Sequence, residues 1–190
     1  MIKSEKSKLR QVFLKKRQSL TSFEIQKRSQ AICKKIKSLA QIENNNVIAC
    51  YLAVNNEPEL SDTTSEFLKI QKTIVIPAFF KTSKNYKFVK LSSLNKLKIG
   101  PYQIPQPSKL LPVDSAKIDL VLLPGLAFSE DGLRLGYGKG VYDRLLADTN
   151  ALKIGVAYDF QVIDHFESES HDIKVDFVIT EKRIIKTQNT

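Results

Sequence analysis

Leu9, Val12, Phe13, Lys16 and Leu20 fall at helical spacing and predict a first amphipathic helix. Thr21-Ser22-Phe23-Glu24 follows with the pattern of a capping box, Thr21 as N-cap and Glu24 reaching back. A second helix should then run to about Ala40, with Ile25, Ile32, Cys33, Ile36 and Leu39 on one face and a turn at residues 44–46. Past the turn the period changes. Residues 47–53 form a short apolar run of the kind a buried strand makes, and a loop of Asn and Pro follows. Residues 62–70 read as helix, 73–76 as a strand stopped by Pro77, and 86–91 as another short strand. Four prolines and Gly100 within residues 97–114 predict an extended surface connection. Beyond it lie a strand at 118–123, a helix at 141–147, a strand at 154–158 and a last sheet strand at 177–180, with Ile184-Ile185 adding a pairing at an edge.

Short apolar strands alternating with helices argue for an α/β fold: a single three-layer domain over residues 1–190, with a mostly parallel sheet covered by helices on both faces. No internal repeat or low-complexity linker divides the chain. In sheets of this kind ligands gather at the carboxyl ends of the strands, where the loops after Val54 and Leu123 are expected.

Composition and charge narrow the picture further. The longest apolar run, residues 47–54, is far short of a bilayer span, and the basic N-terminus lacks the apolar stretch of a signal peptide. Cys33 and Cys50 have neither metal nor redox spacing. A cytoplasmic protein without a membrane partner is the expectation. The net charge of +10 resides in residues 1–40, which hold twelve Lys or Arg and two acids; the other 150 residues hold eighteen of each. Such a segment attracts polyanions, either nucleic acid or a small one such as ATP. The aromatic-plus-basic interleaving of RNA-binding modules is missing from it, which argues against nucleic acid. Most of these lysines read as a solvated helix face.

Residues 136–144 read Gly-Tyr-Gly-Lys-Gly-Val-Tyr-Asp-Arg. Glycines at every second position suit backbone that turns with positive φ or approaches a ligand closely. Successive N–H groups in such a turn make a concave anion site, to which the following helix and the Lys139 charge would add. Neither the P-loop nor the dinucleotide-binding spacing is present, and a tight structural turn uses the same residues.

The longer segment 119–144, DLVLLPGLAFSEDGLRLGYGKGVYDR, resembles the signature of the 5-formyltetrahydrofolate cyclo-ligase (methenyltetrahydrofolate synthetase) family. That signature is a strand ending in P-G-x-A-F, a short glycine-containing loop, then R-L-G-x-G-x-G-x-Y-D. The resemblance implies an enzyme that converts 5-formyltetrahydrofolate to 5,10-methenyltetrahydrofolate at the expense of ATP, with Mg²⁺. For ATP it implies Lys6 and Arg10 from a K-x-x-x-R pair on the first helix, with Arg134, Gly136, Tyr137, Gly138, Lys139, Gly140, Val141 and Tyr142. For the folate it implies Glu57, in Asn56-Glu57-Pro58-Glu59, together with Leu52, Tyr137 and Tyr142. It also implies Asp143 and Asp172 at the metal, and Lys139 as the catalytic cation. The partners are then small molecules, including folates with a polyglutamate tail, and a monomer is expected. Asp159 and Asp176 are read as structural, and His165 and His171 as surface residues. Three departures stand out: Val141 where many relatives have tyrosine, Lys139 where many have glycine, and residues 161–166, which keep the family's glutamine but lack its Leu-Pro.

Overall fold

The computed structural model describes residues 2–101, 104–169 and 172–187. Helix α1 (Ile2–Gln18) leads into α2 (Ser22–Lys37), and the expected capping box is in place: the Glu24 N–H donates to Thr21 Oγ1 and the Thr21 N–H to Glu24 Oε2. The apolar face of α2 is shorter than its pattern suggested. Ile32, Cys33 and Ile36 are buried in it, whereas Leu39 lies past its end and serves as N-cap of a short α3 (Ala40–Asn44). That helix occupies part of the expected turn. Strand β1 (Val47–Ala49), α4 (Ser61–Lys69), β2 (Thr73–Phe80) and β3 (Asn85–Leu91) follow. The extended connection carries a small hairpin, β4 (Leu97–Ile99) with β5 (Pro105–Pro107). Then come β6 (Leu120–Pro124), β7 (Ala127–Ser129), β8 (Arg134–Leu135) and α5 (Val141–Leu145). The chain closes with β9 (Leu152–Val156), β10 (Val162–Ile163), β11 (Phe177–Ile179) and β12 (Ile184–Lys186).

The main sheet has the order β12-β11-β9-β6-β1-β2-β3. Its five inner strands are parallel, and β3 and β12 run antiparallel at the edges, β12 through the expected Ile184-Ile185. One face packs on α2, α3 and α4 through Ile32, Ile36, Ile42 and Phe67. The other face packs on α5 through Leu145 and on Phe128 of β7. This is the mostly parallel α/β sheet flanked by helices that the sequence pattern implies.

Two expectations about the strands are corrected. β1 is three residues long, because the chain leaves the sheet after Cys50, whose N–H makes a last bond to the Val75 carbonyl. β2 continues through Pro77 to Phe80. The Thr73 N–H bonds to Asn46 and the Phe79 N–H to the Gln106 side chain, so odd residues of β2 point away from β3. Pro77, which has no N–H to give, therefore faces the side where β1 has already ended, and the ladder to β3 loses nothing.

β7, β8 and β10 form a second, three-stranded sheet that pattern reading missed, since strands of two or three residues show no alternation. Phe13 of α1 packs on it against Leu126, Ala127, Leu133, Leu135 and Phe166. Phe128 wedges it against the main sheet, where a Cβ on Gly155 of β9 would lie 2.5 Å from the ring. Asp159 and Asp176 are structural, as expected: Arg183 Nε donates to Asp159 at 3.0 Å, and the Lys153 N–H to Asp176 at 2.8 Å. His165 is exposed, and His171 lies outside the described residues. Both cysteines are free and buried, and burial pushes the Cys50 thiol up to about 12. Among the described residues no helix is long and apolar enough to cross a membrane.

Gly155→Ala should overpack the contact with Phe128 and cost about 1–3 kcal/mol, the usual range for a group forced into a close-packed core. Urea denaturation followed by circular dichroism would measure it, and an unchanged midpoint would mean that Phe128 is free to move.

Candidate active site

The chain runs from β1 outward to β2 and β3 in one direction, and from β6 outward to β9, β11 and β12 in the other. The order therefore reverses between the neighbours β1 and β6, where the loops leaving their carboxyl ends diverge and open a crevice. A cleft of about 1310 Å³ lies at this end of the sheet. Every residue implied by the sequence for ATP, folate or metal lines it.

On the β6 side, the small sheet carries the chain to the glycine turn. Gly138 and Gly140 have φ of +84° and +59°, conformations that a Cβ disfavours, and Gly140 ends the turn as N-cap of α5. Gly136 lacks a positive φ, but a Cβ there would lie 2.9 Å from the Arg134 guanidinium. Arg134 is nearly buried. It donates to the Pro124 carbonyl at 3.2 Å, pairs with Asp143 at 3.4 Å and lies 5.2 Å from the Tyr142 ring centre. Its Nε is buried without a hydrogen-bond partner among the described residues. Lys139 is exposed at the tip of the turn, and its carbonyl accepts from Arg144 at 3.0 Å. Val141 begins α5 and packs toward the core, which leaves the glycine frame intact.

Helix α1 lines the cleft with two cations, though not as a matched pair. Arg10 Nε donates to the Gly136 carbonyl at 2.9 Å, holding the turn's backbone. Lys6, only 4% exposed, donates to Asp172 at 2.5 Å and to Glu169 at 3.4 Å. A residue implied for phosphate and one implied for metal thus neutralise each other directly. Asp143 and Asp172 are hard oxygen donors on the same cleft, each beside a cation. Among the described residues no cluster of three or more metal-ligating side chains occurs. Two carboxylates completed by substrate oxygens and water fit magnesium, which seldom uses an all-protein cage.

On the β1 side, Asn55 and Asn56 take positive φ (49° and 58°) and turn Glu57 into the cleft wall. Glu57 is 3% exposed. Its Oε1 accepts from the Tyr137 hydroxyl at 2.9 Å and its Oε2 from the Val54 N–H at 3.1 Å. Burial pushes its carboxyl above the ordinary range, opposed first by the Arg17 charge and then by these hydrogen bonds. Burial also raises the hydroxyls of Tyr51, Tyr137 and Tyr142, which keeps all three protonated as donors. Leu52 lines the cleft and packs on the core at once.

Two residues were given no role by the sequence reading. Arg17 is fully buried beneath Glu57 and Tyr137. The signal was present: it lies seven residues after Arg10 with Phe13 between them, on the same helix face. Gln161 is also fully buried. Its Nε2 donates to the Gly125 and Leu126 carbonyls, and its Oε1 accepts from the Tyr158 N–H. It ties the end of β6 to the turn after β9 without the missing Leu-Pro.

The fold and its switch-point cleft define an α/β enzyme acting on small molecules. The chain belongs to the 5-formyltetrahydrofolate cyclo-ligase family, whose model matches residues 2–181. It is 32% identical to the 5-formyltetrahydrofolate cyclo-ligase of Mycoplasma genitalium, over 92% of this chain and 97% of that one. It is 29% identical to a probable 5-formyltetrahydrofolate cyclo-ligase of Caenorhabditis elegans, over 97% and 96% of the two chains. Among solved structures, 5,10-methenyltetrahydrofolate synthetase of Aquifex aeolicus superposes with a TM-score of 0.87 at 33% identity, covering 97% of this chain and 94% of that one. That of Mycoplasma pneumoniae does so with 0.76 at 30%, covering 93% and 98%.

Gly138→Ala forces a left-handed alanine against the Arg10 guanidinium, at about 1–2 kcal/mol for the backbone alone. Amide exchange should accelerate in residues 136–145 while β6 and β9 keep their protection. Equal acceleration throughout would place the glycine in the global fold.

Proposed function

We propose that this chain closes 5-formyltetrahydrofolate to 5,10-methenyltetrahydrofolate, with ATP converted to ADP and phosphate. The observation that carries the reading is the juxtaposition across one cleft of the glycine turn with Lys139 and the buried carboxylate of Glu57. A formamide oxygen is a poor leaving group. In the proposed reaction it attacks the γ-phosphorus, breaking the bond to ADP and leaving an iminium-like phosphate. The folate side-arm nitrogen then attacks the former formyl carbon and loses its proton, and phosphate departs with the formyl oxygen.

Phosphoryl transfer of this kind needs in-line positioning and neutralisation of charge more than covalent catalysis. The turn N–H groups, Lys139 and Arg134 serve the phosphates, with Arg10 holding the turn; Lys6 joins them once a ligand competes for its carboxylate partners. Asp143 and Asp172 hold the magnesium ion, whose charge would offset that of the phosphates. Glu57 accepts N–H bonds from the pterin edge, while Leu52, Tyr137 and Tyr142 hold the ring so that the side arm folds over it. The substrates are small molecules, and the protein works as a cytoplasmic monomer on folates that include polyglutamylated forms.

Near-ultraviolet absorbance with 5-formyltetrahydrofolate, ATP and Mg²⁺ should develop the methenyl chromophore only when all three are present. ATP binding without the chromophore would refute the folate assignment. Lys139→Ala should lower kcat by about 10²–10³, the scale for losing one preorganised charge at a developing anion. Glu57→Gln should raise the KM for the folate about 10–100-fold, the 1.5–3 kcal/mol of a charged hydrogen bond, and leave that for ATP nearly unchanged. Parallel changes in both constants would remove Glu57 from the pterin.

A further inference from the structure

Arg17 sits at the end of α1 with no solvent exposure. Its donors diverge to three separate segments of the cleft wall. Nε donates to the Asn55 carbonyl at 2.7 Å, in the loop after β1. Nη1 donates to the Gly125 carbonyl at 3.2 Å, just past β6, and lies 3.7 Å from Glu57 Oε1. Nη2 donates to the Tyr137 hydroxyl, which itself donates to the same Glu57 oxygen. The Arg17 carbonyl in turn accepts from Asn56 Nδ2 at 3.2 Å. The two consecutive left-handed residues that aim Glu57 are therefore gripped from both ends by one arginine.

Its geometry exceeds what a structural ion pair needs. A lysine could neutralise Glu57, but only a planar fork reaches two carbonyls, a phenol and a carboxylate at once. Tyr137 is 39% exposed, yet its hydroxyl is fixed at the buried end by Arg17 and Glu57. A carboxylate offers about four lone-pair directions; Tyr137 and Val54 take two, and Arg17 pairs with it by charge at 3.7 Å, so Glu57 keeps capacity for a ligand.

We infer that Arg17 is a positioning residue for folate recognition: it holds the Glu57 carboxyl group in place and registers it against Tyr137 of the glycine turn. The inference rests on the assignment of the pterin to Glu57 above. The charged and titratable groups that face Glu57 are Arg17 from α1, Arg134 from β8, Tyr51 after β1, and Tyr137 and Tyr142 at the turn and α5. The phenols stay neutral, so Arg17 and Arg134 are the cations that favour the charged form against burial, and Arg17 is the one in contact with Glu57.

Removing the Arg17 charge leaves Glu57 buried, and burial then favours its protonated form. The sign follows directly. In Arg17→Met the KM for 5-formyltetrahydrofolate should be high at low pH and fall as rising pH ionises Glu57, and this fall should lie at higher pH than in the parent, where the Arg17 charge favours the ionised form. The test is steady-state kinetics on the parent, Arg17→Met, Arg17→Lys, Glu57→Gln and the Arg17→Met/Glu57→Gln pair, between about pH 6 and 9. Arg17→Met should raise the folate KM about ten-fold or more near neutrality, with the KM for ATP within about three-fold. Arg17→Lys should recover the parental pH profile, but not the full affinity. In the Glu57→Gln background Arg17→Met should add less than about two-fold, because coupled residues are not additive. A folate KM that rises equally at every pH, or that rises as much without the Glu57 carboxylate, would reduce Arg17 to a general structural residue. Should the methionine variant fail to fold, Arg17→Lys with a parental folate KM would overturn the inference on its own. A parent enzyme that turns over no folate would instead refute the function proposed above.

Discussion

A guanidinium and a carboxylate leave water together at the end of α1, and burying such a pair is costly unless nearly every donor and acceptor is met. Arg17 and Glu57 satisfy that condition only because four pieces of chain converge on them: the helix, the Asn55-Asn56 turn, the Gly125 bend and Tyr137. The first helix is thereby anchored to the carboxyl end of the sheet. Its apolar residues seal the small sheet, and its Lys6 and Arg10 line the cleft. The basic N-terminal segment is thus only partly a solvated face. Lys6 and Arg17 are buried in it, and Arg10 holds the backbone of the glycine turn.

The same convergence divides the cleft. Glycines and cations gather on the β6 side, and an apolar wall with one buried carboxylate on the β1 side. Tyr137 belongs to the first by sequence and to the second by hydrogen bonding, so the turn cannot move without disturbing Glu57. In the proposed reaction this coupling would bring the phosphoryl donor and the formyl group together, the orientation work on which a largely electrostatic catalyst depends.

Much of this was legible in the chain. The capping box at Thr21, the buried strand around Leu120–Pro124, the glycine turn and the parallel α/β class all rest on local patterns, and local patterns survive in the fold. Features set by distant partners were not legible. Pro77 looked like a strand stop because the early departure of β1 from its side could not be seen. The small sheet has strands too short for any period, and it is held by Phe128 and by α1 from opposite ends of the sequence. Within the cleft, the residue types were read but their pairings were not. Lys6 and Asp172 meet across 166 positions of chain, and Arg17 was hidden among ordinary surface lysines.

In the proposed reaction the formyl oxygen becomes the phosphoryl acceptor and leaves with phosphate. Turnover of 5-formyltetrahydrofolate labelled with ¹⁸O in the formyl group tests it directly, by mass analysis of the phosphate released in unlabelled water. The account predicts one ¹⁸O atom in each phosphate formed. Unlabelled phosphate, with the heavy atom recovered in water, would contradict it and leave ATP hydrolysis only indirectly linked to ring closure.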